Sequence, residues 1–242
     1  MDTGNEHFYL TTRSGIMCGR FSQKSERKLL AEDFFIDEFT DDVVISYNTA
    51  PSQKAGVIIN DGKNRYVQFK WGLVPSWAKD QQIGSKLINA RAETVASKPS
   101  FRKAFRARRC LVPADGFYEW KKSDGYKVPF YIYHKSTRPL GLAGLWDRWK
   151  DQEGNILYTF TIITTDATPG LAELHNRMPV IIPPEMRAAW LEAKHESIDE
   201  LVGFLKPYDD RQLKFHQVSR KVNSPQNNTP DCIKPVSANN LF

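Results

Sequence analysis

The chain is written in short extended runs, and this limits its fold more than anything else in the sequence. Val57-Ile58-Ile59, Tyr66 to Trp71, Val128 to Tyr133, Leu140 to Trp146 and Leu157 to Thr164 are dominated by β-branched and aromatic residues. Such side chains suit a pleated surface better than a helix. Asn60-Asp61-Gly62 is a hairpin signal between two of the runs. Val43-Val44-Ile45, Cys110 to Pro113, Phe117 to Trp120, Val180-Ile181-Ile182 and the region of Val218 read as further strands. Helical spacing is confined to short pieces. Ser25 is expected to cap a helix through Leu29, Leu30, Phe34 and Phe35, and Pro99 to Arg109 reads as a short basic helix. Thr168-Pro169 opens a turn or two of helix ending near His175, with further helices at Glu185 to Leu191 and Ile198 to Leu205. There is no internal repeat and no linker. The expected fold is a single α+β domain whose many short, mostly antiparallel strands form an irregular barrel-like core flanked by short helices.

Composition matters where it excludes classes. No apolar run approaches the roughly 20 residues that span a bilayer, and the first residues lack a secretory signal's basic start and apolar centre, so a cytoplasmic protein is expected. The cysteines, Cys18, Cys110 and Cys232, form no CxxC pair or zinc ligand set; buried thiols and one reactive thiol are expected, with no disulfide framework. Lys and Arg number 34 against 28 acids, a formal charge of +6, which suits a nucleic-acid partner without requiring one. Residues 1–16 have no apolar periodicity and read as a flexible leader or a vector-derived extension, ahead of a domain over 17–236 and a tail over 237–242.

Four elements carry chemistry that a core does not need. Cys18 follows Met17, so a chain begun at Met17 and trimmed of it exposes a thiol and a free α-amine on one residue. That pair can close a five-membered ring on an aldehyde, which an internal cysteine cannot do. Alone, a cysteine there reads equally as a small buried hydrophobe, although the nearby Arg20 favours thiolate and phosphate. Glu119 lies in Phe117-Tyr118-Glu119-Trp120, where desolvation among rings suits a carboxylate to proton transfer; an exposed strand glutamate between buried aromatics fits the pattern as well. His175, in Leu174-His175-Asn176-Arg177-Met178-Pro179, stands between a short helix and a proline-fixed turn, a place for a working or a structural imidazole. Asn89 and Arg91 are alternate residues of an extended segment and share a face, either as a ligand pair with a guanidinium fork or as a solvated polar pair. The basic run Arg102, Lys103, Arg106, Arg108, Arg109 contains no acid and fits a solvated helix face or a nucleic-acid contact.

Together these residues lie in ordered motifs: Met17-Cys18-Gly19-Arg20-Phe21, Tyr47-Asn48-Thr49-Ala50-Pro51, Trp71-Gly72-Leu73-Val74-Pro75-Ser76-Trp77, Asn89-Ala90-Arg91-Ala92-Glu93-Thr94, Pro113 to Trp120, and His175-Asn176-Arg177-Met178-Pro179. In content and order they resemble the SOS response-associated peptidase (SRAP) family of abasic-site crosslinking proteins, over about Met17 to Val236. The resemblance implies a DNA-damage protein, acting as a monomer, that captures abasic sites in single-stranded DNA as a thiazolidine on an N-terminal cysteine, here Cys18, with no metal or cofactor. By the same resemblance Glu119 holds the amine and moves its proton, and His175 serves as acid and base in opening the sugar and reversing the link. Asn89 becomes the active-site asparagine, Arg20, Arg91 and Arg177 hold phosphates, and Trp77 packs on a base. Members often carry a second aromatic after this tryptophan, where the chain has Ala78. With residues 1–16 attached, Cys18 has no free amine; the family name allows that Cys18, Glu119 and His175 release the leader by autoproteolysis. A cysteine peptidase using Cys18, His175 and Glu119, and a noncovalent single-strand binding module using the basic helix and Trp77, are the alternatives.

Overall fold

The computed structural model describes residues 19–123, 125–192 and 197–236. Cys18, the leader and the tail therefore lie outside the described residues. In chain order the elements are β1 (Phe21–Gln23), α1 (Arg27–Phe34), β2 (Glu38–Phe39), β3 (Ser46–Thr49), β4 (Lys54–Asn60), β5 (Asn64–Trp71), β6 (Asn89–Arg91), α2 (Ala92–Val95), α3 (Arg102–Ala107), β7 (Arg109–Ala114) and β8 (Gly116–Ser123). They continue with β9 (Tyr126–His134), β10 (Leu140–Lys150), β11 (Ile156–Asp166), α4 (Pro169–Ala172), β12 (Arg177–Pro179), α5 (Arg187–Leu191), α6 (Ile198–Gly203) and β13 (Leu213–Gln217). This is the expected α+β architecture.

Five strands close on themselves. Antiparallel pairs link β5 to β4, β4 to β7, β7 to β10 and β10 to β11, and parallel pairing of Lys70 and Trp71 with Thr159 and Phe160 returns β11 to β5. Every second residue points into this barrel: Val57 and Ile59, Cys110 and Val112, Leu140 and Leu142, Phe160 and Ile162 share one buried cluster. The residues between them, Ile58, Leu111, Ala143 and Ile163, join a second cluster with Leu30 and Phe34 of α1, Phe105 of α3 and Trp190 of α5. Both faces of the wall are buried, so these strands read as unbroken apolar runs rather than alternating ones. A second sheet, ordered β13-β9-β8-β1-β3, lays Phe21, Phe117, Ile132 and Leu213 on the barrel's inner cluster.

Four local expectations are corrected, the first being Val180-Ile181-Ile182, which follows β12 rather than forming a strand and is held by an isolated bridge from Ile181 to Leu142. Ser25 does not cap α1: Glu26 holds that position, and the Ser25 hydroxyl donates instead to Asp115 Oδ1 at 2.6 Å. The helix buries Leu30 and Phe34, four residues apart, and ends where Phe35 turns left-handed and 66% exposed. Val43-Val44-Ile45 is not a strand; β3 starts at Ser46, and Val44 and Ile45 are exposed. Arg109 belongs to β7, not to the basic helix, because its buried guanidinium donates to the carbonyls of Trp190 and Phe105 at 2.8 and 3.0 Å. No helix among the described residues is long and apolar enough to cross a membrane.

Candidate functional site

The strand that leads away from Cys18 is fixed by buried polar side chains. β1 lies between β8 and β3, with Phe21 opposite both Phe117 and Thr49. Just before it, the Arg20 carbonyl accepts the Tyr118 N–H at 3.0 Å, which sets Gly19 and Arg20 beside the strand bearing Glu119. At its far end Asp115 accepts the N–H groups of Lys24 and Ser25 and the Ser25 hydroxyl. Gln23 donates to the carbonyls of Gly56 and Pro113, both at 2.8 Å, and accepts the Gly56 N–H at 3.0 Å. Buried polar groups satisfied this way hold a strand in one register.

Glu119 is 4% exposed. The two-residue strand period puts it on the face of Phe117, opposite Phe130 of β9, while Tyr118 and Trp120 pack into a third cluster on the other face. Lys121, on the Glu119 face, pairs with Glu173 at 2.9 Å, two residues before His175.

The other wall is the C-terminal end of β11. There β6 pairs parallel on one side, with Asn89 opposite Ile162 and Arg91 opposite Thr164, and β12 pairs antiparallel, with Arg177 opposite Asp166. Asn89, Arg91 and Arg177 are thus brought to one place, with Glu93 as an added member. Arg177 is buried, and its guanidinium donates to both oxygens of Glu93, to Asp166 Oδ1 at 2.7 Å and to the Thr164 carbonyl at 2.8 Å. Burial alone lowers its pKa, but Glu93 and Asp166 outweigh that and raise it, while the Arg177 bond holds the Glu93 carboxyl below its ordinary value. His175 is half-buried. The Arg177 N–H donates to its Nδ1 at 3.2 Å, so the neutral ring carries its proton on Nε2. Burial first, helped by the positive Lys127, Lys122 and Arg177, pushes the imidazole pKa down against an opposing contact with the Arg177 backbone.

The three expected phosphate ligands divide. Arg91 is exposed on β6. Arg20 donates to Asn48 Oδ1 at 2.8 Å and to the carbonyls of Val222 and Asn223 at 2.6 and 3.0 Å, and burial lowers its pKa. Arg20 and Arg177 therefore face protein acceptors in this conformation. Trp77, by contrast, is 57% exposed. Its loop is tied down by Gly72 N–H to Phe160 O, Val74 N–H to Thr159 Oγ1 and Ser76 N–H to Asp147 Oδ2, at 2.8, 2.8 and 2.9 Å. After Trp77, the Ala78 carbonyl accepts Trp149 Nε1–H from β10 at 2.7 Å.

Of the thiols, Cys110 lies inside the barrel and Cys232 in the third cluster, and burial pushes the Cys110 thiol far up. Sequence reasoning missed Asn48, whose Nδ2 donates to the carbonyls of Val222, Ser224 and Asn227 at 3.1, 3.0 and 2.8 Å, and missed Asp115. Both stood in quoted motifs, and a polar residue inside an apolar motif was the available signal.

A family model described as SOS response associated peptidase (SRAP) matches residues 17–225. Abasic site processing protein YoqW of Bacillus subtilis (strain 168) is 49% identical over 222 residues, covering 90% of this chain and 99% of the relative. Abasic site processing protein HMCES of Rattus norvegicus is 34% identical over 231 residues, covering 79% of this chain and 65% of the relative. The crystal structure of a protein from Bacteroides thetaiotaomicron is similar with a TM-score of 0.81 at 28% identity, over 91% of this chain and 100% of that one.

Proposed function

The chain belongs to the SOS response-associated peptidase family, and from that premise we propose that it processes abasic sites in single-stranded DNA by forming a covalent link through Cys18. The names of the relatives supply the substrate class. The observation that carries the covalent step is the fate of the thiols. Cys110 and Cys232 are shut in the core, so the nucleophile falls to Cys18, joined to the segment that runs beside buried Glu119.

In this mechanism the ring-opened sugar presents an aldehyde. The α-amine of Cys18 adds to it and water leaves, giving a Schiff base; the thiol sulfur then adds to the same carbon, its proton passes to nitrogen, and the thiazolidine closes. No redox equivalent is consumed. An α-amine pKa of about 8 leaves a neutral fraction near pH 7. Glu119 takes and returns the amine proton. His175, neutral with Nε2–H available, works on the sugar oxygen in ring opening and in reversal. Asn89 orients the sugar, and exposed Arg91 takes a neighbouring phosphate. Arg20 and Arg177 keep the two walls in register and lend positive charge to the same phosphates, while Trp77 stacks on a base.

Capture requires that residues through Met17 be removed. The test is a protein beginning at Cys18, incubated with uracil-glycosylase-treated single-stranded DNA and run on a denaturing gel. A shifted band is expected, and blocking the α-amine by acetylation abolishes it. A free-amine protein of confirmed mass that gives no band overturns the proposal, and peptide hydrolysis that survives acetylation favours the peptidase alternative.

A further inference from the structure

The hairpin formed by β8 and β9 ends in cations that the fold leaves unpaired. Lys122 and Lys127 stand directly opposite each other across the two strands, and both are exposed. Opposed residues of an antiparallel pair have Cβ atoms about 5 Å apart, and like charges placed so weaken the pairing. Among the described residues neither lysine has a carboxylate partner. The hairpin itself is held in place. Trp120 Nε1–H donates to Asn223 Oδ1 at 2.8 Å, and the Arg220 guanidinium lies over the Tyr126 ring, 4.8 Å from its centre, so both strands are tied to segment 220–223. Lys121 meets Glu173 at 2.9 Å, which brings the hairpin to the segment that carries His175. After burial, the charges of Lys127 and Lys122, with that of Arg177, disfavour the protonated imidazole. The carboxylates that could offset them are already engaged: Glu173 by Lys121, and Glu93 and Asp166 by Arg177, while Glu119 of β8 is buried. The two lysines therefore repel each other and the charged form of the ring, and one anion lying across them relieves both. A phosphodiester suits the place, with a single charge and two unbridged oxygens, one for each ammonium.

We propose that Lys122 and Lys127 together hold one phosphodiester of the bound single strand, and that this phosphate, by cancelling their repulsion of the His175 ring, couples strand binding to the acid and base work of His175. This rests on the reading of single-stranded DNA as substrate and deepens it. The lysines are positioning residues, acting on the sugar through the imidazole. No bond is made or broken in the step; the ring exchanges its proton with water. Ammonium groups on flexible stems respond to charge rather than to base edges, so the contact is indifferent to sequence.

The test uses the full chain and undamaged single-stranded oligonucleotides, so that it is independent of crosslinking. Affinity is measured by fluorescence anisotropy across a salt series for the parent, for the double variant Lys122→Gln, Lys127→Gln, and for Lys122→Arg, Lys127→Arg. The His175 ring, identified by the resonance lost in His175→Gln, is titrated by NMR with and without DNA. The glutamine variant is expected to show a salt slope shallower by about 0.7, the share of one phosphate on a single strand. Without DNA its His175 midpoint should lie about half a unit above the parent's, the size of a unit charge acting near a solvated surface. DNA should raise the parent's midpoint by more than the variant's, and the arginine variant, which keeps both charges, should match the parent in slope and midpoint. An unchanged slope, or an unchanged His175 midpoint, in a glutamine variant whose circular dichroism matches the parent overturns the proposal. If the lysines behave as expected while abasic DNA is never crosslinked by a protein beginning at Cys18, the covalent mechanism fails and this contact stands. If crosslinking proceeds and the slope is unchanged, the contact alone fails.

Discussion

His175 is a residue whose proton is set by its surroundings. Burial disfavours the charged ring, and Lys127, Lys122 and Arg177 add repulsion, so its folded pKa lies below the ordinary value of 6.5. A depressed imidazole pKa means that the unfolded chain binds this proton more readily. The stabilisation is therefore fully present above 6.5 and is lost as pH falls from there through the folded pKa. In a titration followed by NMR, the His175 ring should have its midpoint below that of a free imidazole, and His175→Gln should flatten the acid side of the stability profile. Asp115 acts on the same scale through the N–H groups and the hydroxyl it accepts. Asp115→Ala leaves the Lys24 and Ser25 N–H groups and the Ser25 hydroxyl without their acceptor, and a loss of about 2–4 kcal/mol is expected in urea denaturation. The same variant should slow crosslinking, because Asp115 fixes the strand that leads from Cys18.

Among the elements, the segments between strands do the positioning. The Trp77 loop begins at Gly72, whose φ of 121° is left-handed, and a Cβ there would come within 2.7 Å of the Gly84 carbonyl. Gly72→Ala is expected to lower stability by more than about 1 kcal/mol and to shift the emission of Trp77 as its loop is displaced. β3 shows the converse, an element that holds a loop. With Asn48→Ala, segment 222–227 loses three carbonyl partners and Arg20 loses one acceptor, so amide exchange in that segment should quicken while the barrel strands stay protected. Sequence periodicity found most of these elements, because β-branched packing on a pleat is a local preference. It misplaced Val43-Val44-Ile45, where apolar character stands at the surface, and it assigned Ser25 to a helix that Asp115, ninety residues away, had already drawn it from.

For the whole molecule, closure of the barrel is the decisive event. β5 and β11 meet through a parallel pairing of Trp71 with Phe160, and the ring of Trp71 then sits 4.9 Å from Phe21 and 6.2 Å from Phe160. Closure removes the free edges of the five strands and brings the end of β11 against β6 and β12, which is where Asn89, Arg91 and Arg177 converge. By itself the sequence determined most of the strand-forming runs, the positions of the three thiols and the motif residues that mark the family, because each depends on side-chain chemistry or on neighbours a few residues away. The tertiary structure decided which arginine is exposed and which are tied to acceptors, which cations of the basic run are available, and that both faces of the barrel wall are buried. A guanidinium takes whatever acceptors the fold brings to it. Glu93 stands 84 residues from Arg177, and Val222 stands 202 residues from Arg20, so only the closed barrel and its second sheet could choose those partners.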